Sequence, residues 1–195
     1  MSTGSTVSAV PLPSPDGFVL DPPLDDGLGA QLIRCWTDVT NAGGAVGLVA
    51  PVDVDDVLAL AVRTFARLHP EGPDHLLVLP DGQGGVAAWC VLESKGTPLS
   101  RHWMTVKRVQ VRPDLQGRGL GRAMLQAVAR TGRELGLDAL HLTVRSGTGT
   151  DAFYRGLGWA EVARIPAAIR VAPGDDRDEI YMVLQLTAPD RPEGV

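Results

Sequence analysis

Apolar residues in this chain recur with two periods. Some segments repeat them every three or four positions, as on one face of a helix, and others every second position, as on one face of a strand. Gly17–Leu20 predicts a short first strand. From Ala30 to Ala42, Leu32, Trp36 and Val39 fall on one helical face, and Ala42-Gly43-Gly44 closes the run, because glycine suits the position just past a helix end. Pro51–Leu68 predicts a second helix, with Asp53 as N-cap and Asp56 in its first turn. Its face is read as Val54, Leu58, Ala61, Phe65 and Leu68. His75–Ser94 predicts a hairpin turning at Asp81-Gly82. His102–Val111 predicts a longer strand in which Trp103, Val109 and Val111 are in phase.

The second half continues in the same manner. Leu120, Met124, Leu125, Val128 and Leu135 give a helix of roughly four turns. Ala139–Arg145 is a strand. Gly147–Trp159 holds a short helix with Thr150 as N-cap and Gly158 just past its end. Glu161–Val171 and Asp178–Leu186 finish as strands. The order of elements predicts an α/β or α+β fold with a mixed sheet. Residues 1–16, rich in Ser and Pro, read as a flexible tail, 17–187 as one domain and 188–195 as a frayed end.

Composition narrows the function. A chain of 195 residues fits one domain, and 44% hydrophobic residues supply a core. A net charge of −5 argues against a nucleic-acid partner. No apolar run reaches the ~18–20 residues that span a membrane. The first residues lack the basic and apolar regions of a signal peptide, so the expected location is the cytoplasm. Cys35 and Cys90 lie far apart in apolar surroundings without a CxxC spacing, which reads as buried free thiols and no metal site.

One segment carries chemistry. In Val111–Arg130 a strand runs into Gln116-Gly117-Arg118-Gly119-Leu120-Gly121-Arg122, which opens into a helix. A helix start offers up to four free N–H groups and the positive end of the macrodipole. Glycine lets an anion approach that backbone closely. Arg118 and Arg122 add charge, so the loop is read as a diphosphate site. It is not a Walker loop, which needs GxxxxGK[ST]. It fits the dinucleotide fingerprint poorly, since Arg122 stands at the third glycine and Asp138 precedes a strand instead of ending one.

The motif Gln116–Gly121 resembles the Q/R-x-x-G-x-G/A motif of the GNAT superfamily of acyl-CoA-dependent N-acyltransferases. Phe153–Trp159 (FYRGLGW) resembles that family's late helix-turn motif, and both occur in the family's order, with the similarity covering roughly Phe18 to Leu186. Cys35–Val52 and Gly158–Val171 are similar to the branch that includes the tabtoxin-resistance acetyltransferase. The resemblance implies a mainly antiparallel, splayed central sheet with helices on both faces, and acetyl-CoA as cosubstrate without a metal.

It also implies roles. Gln116, Gly117, Arg118, Gly119, Leu120, Gly121 and Arg122 would hold the pyrophosphate, and the edge through Val109 and Val111 the pantetheine arm. The Val109 N–H would polarise the thioester carbonyl. Tyr154 would protonate the leaving thiolate, its ordinary pKa near ~10 being close to that of a thiol. Phe153 and Leu157 are read as that helix's core face, so Tyr154 points elsewhere. The family's frequent strand glutamate falls on Thr105, which is no base, leaving Glu93, His102 or a water relay. The family's usual Asn falls on Gly147. Trp36, Trp103, His102 and Arg145 are candidates for the acceptor pocket, with core the favoured reading of Trp36. Asp175, Asp176, Asp178 and Glu179 read as a solvated loop or as an attractor for a cationic substrate.

The expectation is an acetyltransferase acting on a small-molecule amine by direct attack, with a resistance role. The alternatives are a peptide or protein N-terminal acetyltransferase and a non-catalytic acyl-CoA sensor. The sequence leaves the oligomeric state open.

Overall fold

A computed structural model describes residues 13, 14 and 16–187. The elements are β1 (Val19–Leu20), α1 (Asp26–Asn41), α2 (Val54–Phe65), β2 (His75–Pro80), β3 (Val86–Ser94), β4 (Trp103–Val111), α3 (Leu120–Glu134), β5 (Ala139–Arg145), α4 (Thr150–Arg155), β6 (Ala160–Ala172) and β7 (Asp175–Gln185). Short 3₁₀ turns lie at Pro98–Ser100 and Pro113–Leu115. The expected tail 1–16 falls almost wholly, and 188–195 wholly, outside the described residues.

Local chemistry sets the helix starts. Asp25 accepts the Leu28 amide at 2.8 Å and caps α1. Asp53 and Asp56 form a reciprocal capping box on α2, at 3.0 and 3.1 Å. Gly43 follows α1 at φ 89°, a left-handed conformation that favours glycine.

The seven strands form one sheet in the order β1-β2-β3-β4-β5-β7-β6. Each neighbouring pair is antiparallel except β4 and β5, which run parallel. Helices α1 and α2 cover one face, packing Leu32, Trp36, Val57 and Ala61 with Leu76, Val78, Trp89 and Val91. Helices α3 and α4 cover the other, packing Met124, Val128 and Tyr154 with Cys90, Leu92, Leu140, Leu142 and Ile180. Burial of each large apolar side chain stabilises by about 1.5–3 kcal/mol, which makes these two layers the source of the fold. The architecture is the mixed sheet that the order of elements predicted, mainly antiparallel and with helices on both faces as the resemblance implied.

Several local expectations change. Helix α2 buries Val57 and Ala61 and leaves Val54, Leu58 and Val62 exposed. Two adjacent apolar stripes run along this helix, and periodicity alone does not choose between them. Helix α3 ends at Glu134, so Leu135 lies past it. Gly149, not Thr150, occupies the N-cap of α4, and the Thr150 hydroxyl pairs with Thr148 at 2.7 Å. Gly156 is the C-cap of α4, and Gly158 lies beyond the helix end at φ 89°.

Strand β4 does not alternate regularly. Arg108 and Val109 together stand opposite Cys90 of β3, a bulge with Arg108 at φ 55°. The extra residue shifts the phase. Val109 and Val111 pack on the α3 side with Met104 and Val106, out of step with Trp103.

Candidate active site

The parallel partners β4 and β5 pair only over Trp103–Thr105 and Ala139–His141. Beyond that point the strands part. Residues 106–109 and 111 on one side and 142–145 on the other line the two walls of a cavity of about 590 Å³. Its lining includes Thr105, Lys107, Arg108, Val109, Val111, Gln116, Thr143, Arg145, Tyr154 and Glu179, with the loop Gly44–Val49 across from them. Backbone groups that would otherwise continue a β-ladder therefore face an open space.

The bulge at Arg108 opens this split. A non-glycine residue in the left-handed region costs of order 1–3 kcal/mol unless its surroundings hold it. Here the Arg108 guanidinium stacks on the Trp36 ring at 4.3 Å and donates to the Val46 carbonyl at 2.7 Å. Gly47 lies so close to that guanidinium that a side chain there would collide with it. Burial pushes the Arg108 pKa below its ordinary value.

At the end of β4 the chain turns through Pro113–Leu115 into the glycine loop. The Gln116 side chain donates to the Val111 carbonyl at 2.9 Å, tying the loop to the strand. Gly117 and Gly119 adopt φ 73° and 86°, and nothing lies within 4 Å of where a Cβ would stand on either. Gly119 is the N-cap of α3 and makes no side-chain cap, so the first amides of the helix are open to a ligand. The first end-bond of the helix runs from the Ala123 amide to the Gly119 carbonyl, at 3.1 Å. Arg118 and Arg122 flank these amides, giving the loop the shape and charge of an anion cradle.

Tyr154 is placed differently from expectation. It is 8% exposed and packs in the core, while Phe153 is 39% exposed and rests near Gly121. The Tyr154 ring sits edge-on to Phe153 and Trp159 at 5.5 and 5.8 Å, and it also lines the cavity. A six-residue helix with apolar residues on several sides cannot show by period which one faces in. Burial raises the Tyr154 pKa well above its ordinary value, which favours the neutral phenol.

The acceptor candidates separate. Arg145 lines the cavity. Trp36 does not: it is fully buried on the inner face of α1, edge-on to Trp89 at 5.8 Å, with its indole N–H donating to Val46 at 3.0 Å. Trp103 and His102 lie at the opposite end of β4, where Lys95 sits 5.2 Å over the Trp103 ring. Glu93 pairs with Lys107 at 3.6 Å and does not line the cavity. At Gly147, where the family's usual Asn falls, the Arg177 guanidinium fills the space a side chain would need.

The acidic run is not a free loop. Asp175, Asp176 and Asp178 belong to β7 and pair with Arg177, Arg170 and Arg164, the last two at 2.6 and 3.0 Å. These arginines hold the three carboxyls below their ordinary pKa range. Glu179 alone of that run faces the cavity. Both cysteines are buried, and burial pushes the Cys35 thiol up to about 12.

Comparison with known proteins agrees with this geometry. The profile of the Acetyltransferase (GNAT) family matches residues 48–159. Among solved structures, a proposed phosphinothricin N-acetyltransferase superposes with a TM-score of 0.70 at 21% identity, covering 88% of this chain and 99% of its own. YncA, a proposed acetyltransferase from Salmonella typhimurium solved with acetyl-CoA, gives 0.65 at 19%, covering 92% and 100%. A ribosomal-protein-alanine N-acetyltransferase from Brucella melitensis gives 0.64 at 18%, covering 86% and 99%. At these identities the superpositions speak for the fold.

Proposed function

The chain belongs to the GNAT acetyltransferase family, and on that premise we propose that it moves the acetyl group of acetyl-CoA directly onto the amine of a small molecule. The observation that carries this is the parting of β4 and β5, which opens one cavity between the end of β4, Tyr154 and the start of the glycine loop. On this reading the amides of 117–122 hold the pyrophosphate, and the free edge through Val109 and Val111 meets the amide-rich arm. The Val109 N–H polarises the thioester carbonyl. Tyr154 gives its proton to the departing thiolate. Residues 17–187 act as one N-acetyltransferase domain.

Direct attack is favoured because neither cysteine lines the cavity and burial disfavours the Cys35 thiolate, so no thiolate stands ready to carry the acetyl group. A cavity of about 590 Å³, walled by the Gly44–Val49 loop, fits a small acceptor better than a folded protein surface. A role in resistance or detoxification accords with the fold shared with a proposed phosphinothricin N-acetyltransferase.

Thermal unfolding with and without acetyl-CoA tests the cosubstrate. At about 100 times the dissociation constant, binding adds roughly 2.7 kcal/mol. That raises the Tm by roughly 5–10 °C for a chain this long. Gly119→Val, which forces a branched side chain to φ 86°, should abolish the rise. No shift at saturating acetyl-CoA would overturn the assignment.

A further inference from the structure

The reaction needs a group to take the acceptor's proton, because a protonated amine has no lone pair to attack with. Thr105 cannot serve. Glu93 is paired with Lys107 outside the cavity, and His102 lies at the far end of β4. Among the described residues one carboxylate lines the cavity, that of Glu179 on β7.

Three features place Glu179 for this task. It stands directly across the strand pair from Arg145, at the end of β5 that has parted from β4. Arg145 lies four residues past His141 as Val109 lies four past Thr105, the last paired positions of the two strands. The bulge at Arg108 adds one residue to β4 on this count, so Glu179 lies within about one residue of the level of Val109, which also lines the cavity. The Tyr181 hydroxyl donates to Glu179 Oε2 at 3.0 Å, which orients the carboxylate. Tyr181 is itself held by stacking on His141, with ring centroids 5.5 Å apart.

We propose that Glu179 is the general base of the acetyl transfer, receiving a proton from the acceptor amine, with Tyr181 as its positioning residue. The inference rests on the acetyl-transfer reading above. The balance is as follows. The ammonium gives one proton to the Glu179 carboxylate, and the freed lone pair forms the C–N bond at the thioester carbon. The nitrogen then gives up its second proton as the C–S bond breaks, and the sulfur is protonated from Tyr154, which is restored by that second proton. Glu179 returns its proton to water. The sum is amide, free thiol and one released proton.

The charged and titratable groups sharing the cavity with Glu179 are Lys107 and Arg108 on β4, Arg145 on β5, Tyr154 on α4 and Arg170 on β6, the last already paired with Asp176.

The test uses the full chain, saturating acetyl-CoA, and whichever primary amine the wild type acetylates from a panel of amino acids, polyamines, aminoglycosides and short peptides. Glu179→Gln should lose about 10²-fold in kcat/KM at pH 7 while keeping its acetyl-CoA-dependent rise in Tm. As pH rises toward the amine's own pKa the defect should shrink by about tenfold per pH unit, because solvent then supplies the neutral amine. Glu179→Asp should keep the wild-type shape of the pH profile at a lower rate. Should Glu179→Gln fail to fold, Tyr181→Phe carries the test. Loss of that hydrogen-bond donor should move the acid limb of the profile to higher pH. A Glu179→Gln profile parallel to wild type, a loss under about twofold, or an unmoved acid limb in Tyr181→Phe overturns the proposal alone. Binding of acetyl-CoA without acetylation of any amine overturns the parent reading and this one together.

Discussion

Strand β5 treats its two neighbours differently. Toward β7 it is paired along its whole length, Ala139–Arg145 against Gln185–Glu179. Toward β4 it is paired over Ala139–His141 alone. Both neighbours are long enough to continue. Leaving ladder groups unpaired is costly unless something else meets them. The β7 side is a ladder closed by protein, and its side chains Leu140, Leu142 and Ile180 build the core beneath α3. The β4 side is a ladder left unfinished by the bulge at Arg108, and its free groups face the cavity. One strand thus carries stability on one edge and chemistry on the other, and the two should respond to different substitutions.

The largest effect should come from breaking the closed side. Leu140 is fully buried and packs beneath Gly132 of α3. Leu140→Ala should cost about 2–5 kcal/mol through lost burial and a residual cavity. For a chain this long that lowers the Tm by roughly 5–15 °C. The increment from acetyl-CoA should survive in the remaining folded protein. Loss of the increment along with the stability would mean that the two edges are not separable. Tyr154→Phe reverses the pattern. The ring keeps its packing against Phe153 and Trp159, so the Tm should hold within about 1 °C. The rate, kcat, should fall about 10²-fold, equivalent to about 2.7 kcal/mol of barrier. An unchanged kcat would remove Tyr154 from the reaction.

The same division explains what the sequence could show. Elements fixed by local pattern were legible: β5 falls on Ala139–Arg145 as read, Asp53 caps α2, and the glycine loop leads into α3. The residues of that loop are contiguous, so their shared geometry is written in one segment. The cavity is not contiguous. It depends on the Arg108 bulge, held by Trp36 from an element about seventy residues earlier, and no hydrophobic period encodes such a contact. Trp36 is core, as its sequence reading favours, but for the same reason the sequence does not show that this core residue props open the pocket. Glu179 was hidden within an acidic run. Only the pairing of Asp175, Asp176 and Asp178 with arginines of β6 and β7 separates it from them.

The smallest effect should be read by pH, in the buried thiols of α1 and β3. Burial raises the pKa of Cys35 from its ordinary 9.0 to about 12, and burial raises that of Cys90 as well. The folded state therefore holds these protons more tightly than the unfolded state. Below the ordinary thiol value both states are protonated and nothing changes. Above it the unfolded chain ionises first, so stability falls as pH climbs toward the folded value. At pH 9 the loss is only about 0.4 kcal/mol per thiol, steepening beyond that toward about 1.4 kcal/mol per pH unit. Denaturant unfolding at pH 7, 9 and 10 should show this slope, and Cys35→Ala should remove one thiol's share of it. Neither thiol lines the cavity, so acetyl-CoA should add the same increment at each pH. A stability that stays flat to pH 10 would mean that water reaches these thiols. A cosubstrate increment that fell with the slope would mean that the core around these thiols also shapes the open edge of β5.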